Sequence, residues 1–172
     1  MMPVRRIGLI LLLCVTTPAQ AEPEGVRETK SELIANLALL SQAPGRQKQD
    51  TYVICAFEED VGHLKAGALE SQKMQNLQVF LVTVKASNEV KRCNLLYIQD
   101  YEAQKPLELQ QVIQKESVLT VVHNGNKFSE YGHVEISEQD KRYQFGLNLS
   151  LAKQAGIVFD TRLIKLATNI IN

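Results

Sequence analysis

The sequence predicts an α/β protein: a three-layer α/β/α sandwich with a mainly parallel sheet and a C-terminal hairpin-helix extension. Three observations carry that expectation. The apolar runs TYVICAF, LQVFLVTV, CNLLYI and VLTVV are continuous rather than alternating, which marks strands covered on both faces. Segments of helical spacing alternate with these runs, the order expected of a parallel sheet. The C-terminal third then changes to strict alternation, and alternation indicates a hairpin with one covered face.

Element by element, Thr29 and Glu32 have capping-box spacing, and Leu33, Leu37 and Leu40 recur at helical intervals until Pro44-Gly45 breaks the pattern. Thr51 to Phe57 is the first strand, ended by the acidic step Glu58-Glu59-Asp60, and a helix through about Leu69 follows. Leu77 to Val84 is the second strand and Cys93 to Ile98 the third. Pro106 opens a helix containing Leu109, Val112 and Ile113, and Val118 to Val122 is the fourth strand. Val134-Glu135-Ile136 and Tyr143, Phe145, Leu147 and Leu149 form the hairpin about a turn at Glu138-Gln139-Asp140. A helix ending at Gly156 comes next. The last helix, capped near Asp160 or Thr161, places Leu163, Leu166, Ala167 and Ile170 on one stripe.

The N-terminus reads as an export signal. Arg5 and Arg6 precede the apolar run Ile7 to Val15, and Ala19-Gln20-Ala21 supplies small residues at a cleavage site. A rival lipidation signal at Cys14 is opposed by Leu13, where a small residue is needed. Residues 1–21 are thus expected to be removed and residues 22–172 to form one periplasmic domain. Cleavage leaves 17 basic against 19 acidic residues, with no basic stripe for nucleic acid. It also leaves two cysteines, Cys55 and Cys93. In an oxidising compartment the pair suggests one disulfide between neighbouring strands, the alternative being two buried free thiols.

Other chemistry is sparse. His63, His123 and His133 have no metal-ligand spacing. Glu58, Glu59, Asp60, Asp100 and Thr120 loosely resemble a phospho-receiver site, but no matching lysine follows the next strand, and Asp60 is more simply a helix cap. Neither a nucleophile elbow nor a phosphate-binding loop is present. No enzymatic activity and no cofactor are therefore expected.

Taken in order, YVICAF, RCNLLYIQ, SVLTVVHNGNKFSEYGHVEI and RYQFGLNLSLAKQAGIVFDTRLIKLA resemble the YfiR family of periplasmic regulators, from Thr51 to the C-terminus. Cys55 matches the cysteine of that family's first strand and Cys93 the one opening its CHILFI-like strand, a pair the family can join. Val118 to Val122 stands for its VLTVSD-like strand. Phe145-Gly146-Leu147-Asn148-Leu149 stands for its FEINL segment, Leu151 to Ile157 for its AAxxAGL helix end, and Leu163-Ile164-Lys165-Leu166-Ala167 for its LLKLA helix. Three departures are plain: Tyr131-Gly132 replaces a Gly-Gly step, Gly146 replaces the glutamate of FEINL, and the chain has no Trp. A second cysteine pair of some members is absent.

The resemblance implies a domain that binds the extracytoplasmic sensor region of an inner-membrane diguanylate cyclase and holds it inactive. Release would raise cyclic di-GMP and favour surface attachment. Other partners to expect are an outer-membrane lipoprotein that sequesters it and a second copy of the chain. Candidate contact residues are Phe145, Asn148, Leu149, Leu163 and Leu166, against which core packing, and a capping role for Asn148, compete. A small-molecule-binding module without a cyclase partner is the competing function, motivated by the strand-end acids and the span from His123 to Gly132.

Overall fold

Helix α1 (Lys30–Leu39) starts on the expected capping box. In the computed structural model Glu32 N–H donates to Thr29 Oγ1 at 3.3 Å, and Thr29 N–H donates to Glu32 Oε2 at 2.7 Å. The structure describes residues 29–43, 50–71, 77–99, 107–123 and 128–172. The export signal with Cys14, Pro44-Gly45, Asp100, Pro106 and residues 124–127 lie outside them.

After β1 (Ser41–Gln42), strand β2 (Thr51–Phe57) spans the TYVICAF run. The helix expected through Leu69 is two pieces, a 3-10 turn (Val61–His63) and α2 (Ala66–Glu70). Asp60 occupies the N-cap position of that turn, but its side chain makes no cap bond. Next come β3 (Gln78–Val84), a 3-10 turn (Ser87–Arg92), β4 (Leu95–Ile98), α3 (Leu107–Glu116) and β5 (Leu119–His123). The third strand therefore begins at Leu95 rather than Cys93, because Cys93 N–H is taken by Val90 O in closing the 3-10 turn.

The C-terminal part holds α4 (Phe128–Tyr131), β6 (Val134–Gln139), β7 (Arg142–Asn148) and α5 (Leu149–Gln154). It ends with β8 (Val158–Phe159), α6 (Thr161–Leu166) and β9 (Asn169–Ile171). The hairpin turn lies one step later than expected, at Asp140 and Lys141, whose φ angles of 51° and 60° fit a two-residue connection between twisted strands. Gly156, at φ 70°, ends α5, with Ile157 N–H donating to Ala152 O at 2.7 Å.

The last helix departs most from expectation. It stops at Leu166, and Ile170 belongs to a strand: Thr168 N–H and Oγ1 both donate to Phe145 O, and β9 pairs in parallel with β7. Two adjacent isoleucines suit an edge strand better than a helix end, and the tertiary ladder decides between them.

Seven strands form one sheet in the order β3-β2-β4-β5-β6-β7-β9, while β1 and β8 form a separate antiparallel pair. From β3 to β6 the neighbours are parallel, and β7 is antiparallel to β6, so the hairpin continues the main sheet. Successive residues of β2 and β4 feed opposite cores. Ile54, Ala56, Leu95 and Tyr97 pack with Ile34, Leu37 and Leu69 of α1 and α2. Cys55, Phe57, Leu96 and Ile98 pack with Leu109 and Ile113 of α3 and Val90 of the second 3-10 turn. Those two covered faces are why the strand sequences read as unbroken apolar runs.

Asn94 sets the register between β2 and β4. Its N–H donates to Val53 O and its side-chain Oδ1 accepts from Val53 N–H, both at 2.8 Å, while its own carbonyl accepts from Leu119 N–H. Asn94→Ala leaves the Val53 N–H without that acceptor and is expected to lower stability by about 1–3 kcal/mol. A urea denaturation series of the two proteins measures this.

Candidate interaction surface and the polar clusters

Cys55 and Cys93 are bonded to each other, with Cα atoms 5.8 Å apart and both residues fully buried. The bond lies in the core beneath α3. It is sealed from solvent by the packing around it.

The five candidate contact residues have different surroundings. Phe145 and Leu163 are buried in the core on the α1 side, and Leu149 is half-buried against it. Asn148 is buried at the start of α5: Oδ1 accepts from Leu151 N–H at 3.0 Å, and Nδ2 donates to Ser129 O at 3.2 Å, tying α4 to α5. Leu166 alone projects into solvent, 68% exposed. Among the described residues, the exposed large apolar side chains are Phe80, Val158 (57%), Leu166 and Ile170 (37%). Three of the four fall on the consecutive elements β8, α6 and β9. Between β8 and α6, Asp160 caps α6 through Arg162 N–H and takes the Arg162 guanidinium at 2.9 Å, which holds its carboxyl down at about 2.

A polar cluster that sequence reasoning missed lies at the carboxyl ends of β4 and β5. Lys30 Nζ donates to Tyr97 Oη at 3.2 Å and to Gln99 Oε1 at 3.0 Å, and the Tyr97 hydroxyl donates to the same Gln99 oxygen. Gln99 Nε2 lies 2.7 Å from His123 Nδ1, and the His123 ring meets Tyr143 edge-on. Lys30 also stands 5.8 Å and 6.0 Å from the Tyr97 and Tyr143 ring centres. The cluster pins the first turn of α1 to three strands. Tyr97 looked like one more apolar position of its run, and only the sheet order brings Lys30 beside it.

His133 is buried next to a shallow cleft lined by Gln110 and Gln114 of α3 and Glu130 and Tyr131 of α4. Its Nδ1 accepts from Thr120 N–H at 3.0 Å, so the ring is neutral with its proton on Nε2. Burial lowers its pKa to about 4. No group of three His, Cys, Asp or Glu among the described residues could hold a metal ion. Glu58 and Glu59 are exposed, and no helix among the described residues is long and apolar enough to cross a membrane.

No curated protein matches the chain. Solved structures that are similar to it include the following two. The ABC domain from Streptococcus pneumoniae in complex with L-Trp has 11% identity and a TM-score of 0.49, over 80% of this chain and 60% of that one. A conserved domain protein from Vibrio cholerae has 10% identity and a TM-score of 0.47, over 81% of this chain and 59% of that one. The chain thus spans about three fifths of each. Residues 27–168 match the YfiR/HmsC-like family. That match takes in the bonded cysteines, every strand from β1 to β8 and the helix carrying Leu166, and the chain belongs to the YfiR/HmsC-like family.

Proposed function

We propose that this protein is a periplasmic, non-catalytic regulator that binds the extracytoplasmic sensor domain of an inner-membrane diguanylate cyclase and represses cyclic di-GMP synthesis. Family membership over residues 27–168 is the observation that carries this reading. A buried disulfide in a two-cysteine domain accords with an oxidising compartment outside the cytoplasm. Repression of this kind needs no active site, because a bound domain shifts a two-state receptor through its differential affinity for the inactive form.

Of the five candidate residues, Leu166 has the exposure that direct contact requires, with Leu149 half-buried. Phe145, Asn148 and Leu163 then act as the frame that fixes β7, α5 and α6 beneath that surface. Deleting the gene is expected to raise intracellular cyclic di-GMP, and an unchanged level would overturn the proposal. Leu166→Asp is expected to weaken binding to the sensor domain by roughly tenfold or more while leaving thermal stability within a degree or two of the parent. Titration calorimetry against the isolated sensor domain, alongside a melting curve, checks both.

A further inference from the structure

We propose that His133 is a positioning residue for the Leu166 surface, an acid-sensitive latch whose uptake of a proton lets the C-terminal elements, α4 to β9, open away from β5. The consequence for repression rests on the function proposed above, whereas the opening itself does not. His133 stands at the first rung between β5 and β6. Its N–H donates to Thr120 O and its ring Nδ1 accepts from Thr120 N–H, both at 3.0 Å. Helix α4 occupies the chain up to Tyr131 and β6 begins at Val134, so the imidazole nitrogen does the work of a strand carbonyl one rung earlier. A carbonyl accepts at any pH. An imidazole nitrogen accepts only while the ring is neutral.

From that rung the bonds run on into the partner-facing elements. His133 O accepts from Asn148 N–H at 2.9 Å. Asn148 in turn holds α4 through Ser129 O and α5 through Leu151 N–H, and it lies opposite Ile171 of β9. Helix α6, with Leu166, is strung between β8 and that strand. One residue therefore ties β5 to both strands of the hairpin. Beyond it the β5–β6 ladder is short, with three paired positions from Val121↔Val134 to His123↔Ile136, against seven between β2 and β3.

The groups facing the ring are the amides of Gln110 and Gln114 on α3, Glu130 and Tyr131 on α4, and Leu151 on α5. Glu135 follows on the same face of β6. The Tyr131 hydroxyl is bonded to Glu130, and burial outweighs the attraction of either carboxylate, because it holds the ring neutral down to about pH 4. Opening gives the ring to water, where it titrates near 6.5. The open form then gains on the closed form by about twentyfold between pH 7 and pH 5. Glu135, whose carboxyl is pushed up by its own burial, opposes the change.

Native-state hydrogen exchange of the chain with its disulfide intact tests the latch without any partner. At pH 7 the amides of Thr120, Asn148 and Leu151 are expected to exchange through a smaller opening than those of Val53 and Asn94, which join β2 to the start of β4. After correction for the pH dependence of chemical exchange, that opening is expected to become about twentyfold more populated at pH 5. His133→Asn, whose side-chain oxygen accepts in place of Nδ1 without titrating, is expected to abolish the rise. Exchange of all five amides through one common opening, or a rise that survives both His133→Asn and His133→Gln, overturns the proposal. Affinity for the isolated sensor domain is expected to fall with pH in the parent and less steeply in His133→Asn, and an equal fall in both overturns the link to the Leu166 surface. A sensor domain that does not bind at pH 7 removes the cyclase reading and leaves the exchange result to decide the latch.

Discussion

Replacing Cys55 and Cys93 together by alanine is expected to lower the free energy of unfolding by about 4 kcal/mol and the melting midpoint by roughly 10 °C. The bond closes a loop of 38 positions, and the restriction it places on the unfolded chain is of that size. The folded state has little to lose in exchange, because both residues are buried apolar positions into which alanine fits with a small void. A domain of this size has a total stability of about 5–15 kcal/mol, so the loss is a large fraction of the whole. Denaturant titrations of the parent, the double variant and the reduced parent check this, and the last two should coincide. A difference below about 1 kcal/mol would show that the bond contributes by something other than closing the loop.

Acidification is expected to have the next largest effect, with His133 as its origin. Its pKa is about 4 in the folded protein, against 6.5 for a solvated histidine, because burial disfavours the charged ring. Between those values the unfolded chain binds the proton and the folded chain does not, so stability falls as pH falls. The contribution is intact above pH 6.5, about 2 kcal/mol is lost by pH 5, and about 3 kcal/mol is lost by pH 4. Protonation of Nδ1 would also set an N–H against the Thr120 N–H that it now accepts from. Asp160, held at about 2, titrates below this window. Glu135, whose carboxyl is pushed up by burial, acts in the opposite direction. Urea denaturation at pH 7, 5 and 4 measures the slope. His133→Gln should flatten it between pH 6.5 and 5, and an unchanged slope would remove His133 as its source.

The parallel part of the fold was legible because its strands contribute apolar residues to a core on each face, so β2 and β3 could be bounded from apolar runs alone. The cap of α1 was legible for a local reason, since Thr29 and Glu32 satisfy each other within one turn. What escaped was set by distant contacts. β9 exists because Phe145 and its neighbours on β7 present an open ladder, and nothing within Asn169–Ile171 announces that ladder. Cys93 looked like a strand residue until Val90 claimed its amide. At the candidate surface, helical spacing placed Leu163 and Leu166 on one stripe, yet Leu163 is buried and Leu166 is in solvent, a difference that spacing within the helix does not carry. The polar cluster at Lys30 and Tyr97 joins residues 67 positions apart and left no local trace.

β3 and β9 close opposite ends of the sheet, roughly 29 Å apart at the usual strand spacing. Phe80 on the first and Ile170 on the last are therefore separate apolar spots, and whatever lies along one edge strand leaves the other in water.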